Sequence, residues 1–84
     1  MVHNFRPTGV CSRQIQVELD DNNTIKSCRF VGGCAGNTTG ISSLVKGMDA
    51  QEAIERLRGI DCGGRGTSCP DQLAIALEEA LEMN

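Results

Sequence analysis

Four of the five cysteines lie beside glycine, serine or threonine and outside apolar runs: Cys11, Cys34, Cys62 and Cys69. Cysteine is among the residue types most often buried, so a structural cysteine is expected inside an apolar pattern, as Cys28 is. Clusters of glycine and small polar residues indicate loops, which often carry chemistry. The sequence therefore predicts a thiol-lined site, with Cys28 in the core.

The chemistry expected of such a site is binding of a soft metal. Thiolates are preferred ligands of zinc and of iron-sulfur clusters. If the loops meet at one end of a sheet, the predicted metal ligands are Cys11, Cys34, Cys62 and Cys69. Four ligands would close the site and three would leave a position open. No C-x-x-C pair is present, so the prediction depends on the fold to bring the cysteines together.

Cys69 is the thiol whose predicted position most favours the thiolate form, because it lies in the first turn of a helix. Thr67 or Ser68 can cap a last helix, and Pro70 is tolerated in its first turn. The positive end of the helix dipole favours the thiolate form of a cysteine in that turn. This leaves a second hypothesis open, a thiol enzyme or sulfur carrier in which Cys69 is the nucleophile and Cys62 resolves it by disulfide exchange.

A separate candidate site uses no metal. A glycine-rich loop that leads into a helix can cradle phosphate with its backbone amides, and an arginine there adds a bidentate donor. The residues of this predicted site are Gly63, Gly64, Arg65, Gly66, Thr67 and Ser68. The ligand would be a nucleotide or a flavin, although the chain has no Trp or Tyr to stack on either. The motif is weak, because neither G-x-G-x-x-G nor the lysine-bearing P-loop occurs.

Size and composition predict one small domain, residues 1–84. A chain of 84 residues with two Phe and no Trp or Tyr must build an aliphatic core, and such a core gives little stability at this length. A metal, a ligand or a second copy in a homodimer would add to it.

Targeting signals, cysteine usage and charge indicate where the protein acts and which partners it is expected to bind. The sequence has no apolar leader and no run of about 20 apolar residues, so we expect a cytoplasmic protein rather than a membrane protein. An odd number of cysteines in a reducing compartment favours metal or thiol chemistry over disulfides. The net charge is −3 and the acidic tail from Asp71 to Asn84 has no basic residue, which argues against nucleic acid as a partner.

The patterning predicts an antiparallel hairpin followed by helices. Apolar and polar residues alternate over 13–19, a second strand-like run covers 24–31, and a polar turn joins them. Gly32-Gly33 ends this hairpin or permits a further short strand. The amino terminus is expected to fray, which argues against the single histidine, His3, as a ligand.

Three helices are expected after the sheet. Helical spacing of apolar residues covers 39–46, and Asp49 with Glu52 forms a predicted capping box before a second helix. A third helix follows Ser68. The predicted fold class is α+β, a small antiparallel sheet of two to three strands followed by three helices packed on one face.

The run Thr67–Asp71 reads T-S-C-P-D, and the chain from about Thr8 onward resembles the stand-alone, bacterial form of the TSCPD-domain family. That resemblance implies a single TSCPD-like domain suspected of binding metal. The order of elements is also similar to that of the U-type iron-sulfur cluster scaffolds, in which three cysteines meet at one end of the sheet. Cys11, Cys34 and Cys69 stand at the corresponding places.

The chain departs from the scaffold pattern at two residues, and the glycine-rich loop replaces the proline-containing segment that a chaperone reads in the scaffolds. Scaffolds carry an aspartate where this chain has Arg13 and a histidine where it has Ser68, and those groups help to make a scaffold cluster transferable. The resemblance therefore extends to thiolate binding and not to cluster hand-off. We expect a binding module rather than an enzyme, with Arg13 and Arg65 offsetting the charge of several thiolates.

Overall fold

The alternating segments form a three-stranded antiparallel sheet. The structure, a computed structural model, describes residues 1–33 and 35–84. Its strands are β1 (Val2–Phe5), β2 (Ser12–Leu19) and β3 (Ile25–Gly32), in the order β1-β2-β3. The predicted hairpin of β2 and β3 is confirmed, with Val17 opposite Cys28.

Three helices follow the sheet, as predicted: α1 (Ala35–Val45), α2 (Ala50–Leu57) and α3 (Cys69–Met83). The first begins at residue 35 rather than 39. Asp49 caps α2, and its carboxylate accepts a hydrogen bond from the Glu52 amide at 3.2 Å. The Glu52 carboxylate accepts from Arg56 at 2.9 Å instead of completing the capping box.

The amino terminus is ordered as strand β1, so the prediction that it frays was wrong. His3 lies opposite Val17 in the β1–β2 ladder, and the terminal ammonium donates to the Leu19 carbonyl at 2.8 Å. His3 Nε2 lies 2.9 Å from Glu79 Oε1 on α3. The strand was missed because a polar His occupies one of the half-buried positions of the sequence Val-His-Asn-Phe, which hides the apolar alternation.

One face of the sheet carries the core, and all three helices cover that face. α3 packs on β1 and β2, α1 packs on β3, and α2 packs against α3. The side chains with no exposed surface are aliphatic, among them Ile15, Val17, Leu19, Leu73 and Leu77. The predicted α+β class and aliphatic core are confirmed. In the described ranges, no helix is long and apolar enough to cross a membrane.

The end of the sheet opposite the β2–β3 turn gathers several chain segments. Ser12 at the start of β2 lies opposite Gly32 at the end of β3. Cys11 directly precedes β2, and the glycine-rich loop before α3 reaches the same end, because Arg65 contacts Cys11. The topology therefore places residues distant in sequence around this end.

Candidate functional site

The amino end of α3 is built by hydrogen bonds from Ser68. Ser68 is the N-cap residue, with its hydroxyl 3.1 Å from the Asp71 amide that donates to it. The same hydroxyl donates to the Ile60 carbonyl at 2.6 Å, which ties the helix to the preceding loop. This confirms the predicted cap and places Cys69 at the first helical position.

Asp71 joins the end of α2 to the start of α3. Its carboxylate accepts from the Thr67 hydroxyl at 2.6 Å, from the Gly59 amide at 2.7 Å and from Arg58 Nη1 at 3.1 Å. The Thr67 hydrogen bond, followed by that from Gly59, holds the pKa of Asp71 below its ordinary value, against the effect of burial. Asp71 is only 4% exposed, so it is a buried anchor of the loop.

The glycine-rich loop closes on its own carboxylate. Asp61 accepts hydrogen bonds from the amides of Gly64 and Gly66, the first at 2.7 Å. Both glycines have positive φ, +80° and +81°, which side chains other than glycine rarely adopt. The Cys62 amide donates to the Thr67 carbonyl at 3.0 Å. These contacts fix the path of the loop before α3.

Three cysteines line one cavity beside this loop: Cys11, Cys62 and Cys69. The cavity has a volume of about 430 Å³. Its wall also includes Val10, Asn37, Ile60, Asp61, Arg65, Ser68 and Pro70. Cys11 and Cys62 are exposed and Cys69 is half-buried. The cavity therefore presents thiols from three separate segments of the chain to solvent.

Arg65 supplies positive charge to the cavity. Its Nη1 lies 3.9 Å from the Cys11 sulfur. The hydrogen bond to Cys11 raises the pKa of Arg65 most, with further contributions from the charges of Cys11, Cys62 and Cys69. A guanidinium in this position stabilises negatively charged sulfur or an anionic complex of sulfur and metal. Arg13, predicted to share this role, lines a different cavity.

A hydrogen bond between side chains links the Cys69 sulfur to the sheet. Ser12 Oγ lies 3.2 Å from Cys69 Sγ, and Ser12 is only 4% exposed. Gly33 packs on that hydroxyl so closely that a Cβ at position 33 would lie 2.7 Å from Ser12 Oγ. Ser12 therefore positions the thiol at the amino end of α3.

We expect Gly33→Ala to lower the free energy of unfolding by about 2 to 4 kcal/mol. The backbone at Gly33 has φ +83°, and the added methyl group would also displace the Ser12 hydroxyl. Chemical denaturation measures the loss. The matched control is Gly47→Ala, because Gly47 has φ +89° but a methyl group added there would meet no atom within 4 Å; its loss should be about 1 to 2 kcal/mol. Equal losses in the two variants would show that the Ser12 contact contributes nothing.

The structure brings together three of the four predicted metal ligands, Cys11, Cys62 and Cys69. The fourth, Cys34, lies outside the described residues. Within residues 1–33 and 35–84, no three His, Cys, Asp or Glu side chains are arranged so that they could hold a metal ion. His3 contacts Glu79 on α3 and is not part of the cavity wall.

Cys28 lies apart from the other described thiols and packs against the core. The Ser42 hydroxyl donates to its sulfur at 3.7 Å. Burial raises the pKa of Cys28 to about 11, a shift that the Ser42 hydrogen bond only partly offsets. This thiol therefore stays protonated at neutral pH, which makes it poorly suited to ligate or attack.

Sequence patterns did not identify three residues that shape the site: Ser12, Asp61 and Asp71. Ser12 occupies a buried position in a strand, and a hydroxyl there gives no periodic signal. Asp61 precedes a glycine cluster, which is a recognisable sign of a carboxylate that accepts loop amides. Asp71 lies in the first turn of α3, where its sequence position indicates only a favourable charge for the helix dipole.

Comparison with known proteins identifies one family. The family model described as "TSCPD domain" matches residues 2–81. Searches of the curated proteins and of the solved structures returned no match. The match covers nearly the whole chain, including the strand β1, the cysteine-lined cavity and most of α3. The chain therefore belongs to the TSCPD-domain family.

Proposed function

We propose that the chain binds a soft metal centre, a zinc ion or an iron-sulfur cluster, through Cys11, Cys62 and Cys69. Cys34 remains a predicted additional ligand. The observation that carries the proposal is that three thiols, from separate parts of the sequence, line one cavity. Because the described side chains are not yet arranged around a single point, metal binding requires them to turn toward a common ion. Thiolate sulfur is the donor that zinc and iron-sulfur clusters prefer.

The surroundings of the thiols support this proposal. Several thiolates around a divalent ion give a net negative site, and Arg65 beside Cys11 offsets that charge. Cys69 at the start of α3 adds the positive end of a helix dipole. Since Cys11 and Cys62 are exposed, their side chains meet few packed neighbours when they turn toward a common ligand.

The order of elements supports a likeness to the iron-sulfur cluster scaffolds. Those proteins carry one cysteine at the first strand and one at the start of the last helix. Here Cys69 begins the last helix, whereas Cys11 directly precedes the second strand, β2. Arg13 and Ser68 replace the aspartate and histidine of a scaffold. We therefore propose stable binding rather than cluster transfer. The thiols must be reduced for this role, and the cytoplasmic location that we propose would keep them so.

A phosphate-bearing ligand at Gly63–Ser68 is the weaker alternative. A phosphate cradle needs free backbone amides that point to the ligand. The amides of Gly64 and Gly66 already donate to Asp61. A nucleotide or flavin would have to displace that carboxylate, whereas a metal at the cysteines leaves it in place.

The test is purification without oxygen, followed by measurement of zinc, iron and acid-labile sulfide and by a visible spectrum. We expect either about one zinc per chain or iron and sulfide with visible absorption. The matched control is Cys28→Ser, which should keep the full metal content because Cys28 lies outside the cavity.

Two results would contradict the proposal. One is metal-free protein that also fails to take up zinc or to accept iron and sulfide under reducing conditions. The other is rapid reaction of Cys69 with a mild electrophile, followed by a trapped Cys62–Cys69 disulfide, while added zinc has no effect on either step. The second result would favour the thiol enzyme or sulfur carrier.

A further inference from the structure

A second cavity lies between the end of β1 and the start of β2. Its volume is about 310 Å³, and its wall consists of Asn4, Phe5, Arg6, Arg13 and Gln14. It shares no lining residue with the cysteine cavity. Polar groups dominate its wall, and both arginines are exposed. The two arginines make this cavity a candidate for binding an anion.

An irregularity in β2 brings the polar side chains into this cavity. Ser12 pairs with Gly32 and Gln14 pairs with Val31, so the ladder shifts at Arg13. A β-bulge of this kind turns consecutive side chains toward one face, which regular alternation would separate. Arg13 and Gln14 are accordingly both exposed and both line the cavity.

The bulge therefore directs the side chains of Arg13 and Gln14, both hydrogen-bond donors, into the same cavity. Gln14 Nε2 also donates to Asn4 Oδ1 at 2.9 Å, which links β2 to β1 beside the arginines.

The arginines of this cavity differ in their charge pairing from two other arginines of the chain. Over the part of the chain that the structure describes, Arg6 and Arg13 form no ion pair, whereas Arg56 and Arg58 each do. The first acidic residue in the sequence is Glu18, and its carboxylate lies 3.8 Å from Lys26. In a chain with net charge −3, two arginines on one cavity wall that have no ion pair with any described carboxylate are the unusual feature of this cavity.

We propose that Arg6 and Arg13 bind the phosphate group of a small molecule in this cavity. Guanidinium groups match the oxygens of a phosphate in a bidentate geometry. The carboxamides of Asn4 and Gln14 add neutral hydrogen-bonding groups. This site is separate from the thiols, so it does not depend on the proposed metal centre.

The test titrates isotopically labelled protein with inorganic phosphate and, separately, with pyrophosphate, and follows the backbone amides by NMR. We expect saturable shifts centred on residues 4–6 and 13–14, with dissociation constants of about 1 mM or lower. Tighter binding of pyrophosphate would identify a ligand with two linked phosphates. Tighter binding of inorganic phosphate would identify a single phosphate group.

Matched variants distinguish phosphate binding at this cavity from non-specific attraction of an anion to positive charge. Arg6→Gln and Arg13→Gln should each weaken binding about tenfold or more. Arg29→Gln is the control, because Arg29 is an exposed arginine of β3 outside this cavity, and it should change binding less than twofold. The spectra of the free variants should match the wild type outside the substituted positions, since all three side chains are exposed.

Three outcomes would overturn the proposal. The first is shifts that never saturate, and the second is shifts centred on Gly63–Ser68, which would place the anion at the other loop. The third is binding of a polyglutamate peptide to Arg6 and Arg13 when neither phosphate nor pyrophosphate binds, which would assign the surface to an acidic protein partner.

Discussion

Asp71→Asn is expected to lower the free energy of unfolding by about 2 to 4 kcal/mol, enough to lower the melting temperature of a domain of this size by about 10 °C or more. The Asp71 carboxylate accepts from Thr67, Gly59 and Arg58 while almost fully buried. Asparagine has only one oxygen that accepts hydrogen bonds. Its NH2 group would face the Thr67, Gly59 or Arg58 donors, which then lose their acceptor.

The same carboxylate makes stability sensitive to acid. Its folded-state pKa is lowered from the ordinary value of 3.8, so the ionised form favours the folded state. This contribution is fully present above the unfolded-state pKa and is lost as the pH falls through the folded-state pKa. The difference in stability between the wild type and Asp71→Asn should therefore be constant near neutral pH and shrink below about pH 4.

Urea denaturation of both proteins from neutral pH to about pH 2.5 measures this difference. Glu78→Gln is the matched control, because Glu78 is the other carboxylate that contacts Arg58 and it lies at the surface. It should leave the stability nearly unchanged. A loss in Glu78→Gln as large as that in Asp71→Asn would show that Arg58, rather than the buried carboxylate, is the anchor.

Cys69→Ser is expected to lower zinc affinity by more than about 100-fold. Substitution of a group that only supports a ligand typically costs 10- to 100-fold in affinity, and Cys69 is proposed as a ligand itself. Serine is a hard oxygen donor and does not replace a thiolate at zinc. Cys69 is also the proposed ligand fixed both by helix α3 and by Ser12.

The fold of the Cys69→Ser variant should be retained. Serine is close to cysteine in size, and the Ser12 hydroxyl can bond to either side chain. Equal unfolding free energies for metal-free wild type and variant would check this point. A large loss of stability without metal would mean that Cys69 is a packing residue, and its effect on zinc would then be indirect.

The predictable parts of the fold are those in which the sequence pattern and the packing agree. Ile15, Val17 and Leu19 alternate in the sequence and are fully buried along β2. Asp49 and Ser68 are good caps in any context and cap α2 and α3 in the structure. Local sequence was enough to predict these elements, because the caps accept hydrogen bonds from backbone amides and the apolar spacing sets which face is buried.

The parts that were missed depend on contacts between distant segments. β1 is ordered because β2 supplies its hydrogen bonds and α3 supplies Glu79 to His3. The start of α1 at residue 35 has no periodic apolar signal among its glycines and threonines. The bulge that exposes Arg13 is likewise set by pairing across the sheet, which a single strand's pattern does not contain.

The candidate site was predictable in its residue types and not in its surroundings. The positions of Cys11, Cys62 and Cys69 beside small residues pointed to a shared site, and all three line one cavity. The neighbouring residue Ser12 contacts Cys69, which is distant in sequence, and Asp61 accepts hydrogen bonds from amides of the loop. Such contacts depend on the folded path of the chain.

The most direct test of the proposed metal centre is a zinc titration, against a competing chelator under reducing conditions, of four single serine variants. We expect Cys11→Ser, Cys62→Ser and Cys69→Ser each to lose about 100-fold or more in affinity, and Cys28→Ser to bind as the wild type does. Loss of affinity in only one of the three cavity variants, or an equal loss in Cys28→Ser, would contradict a centre shared by the three thiols.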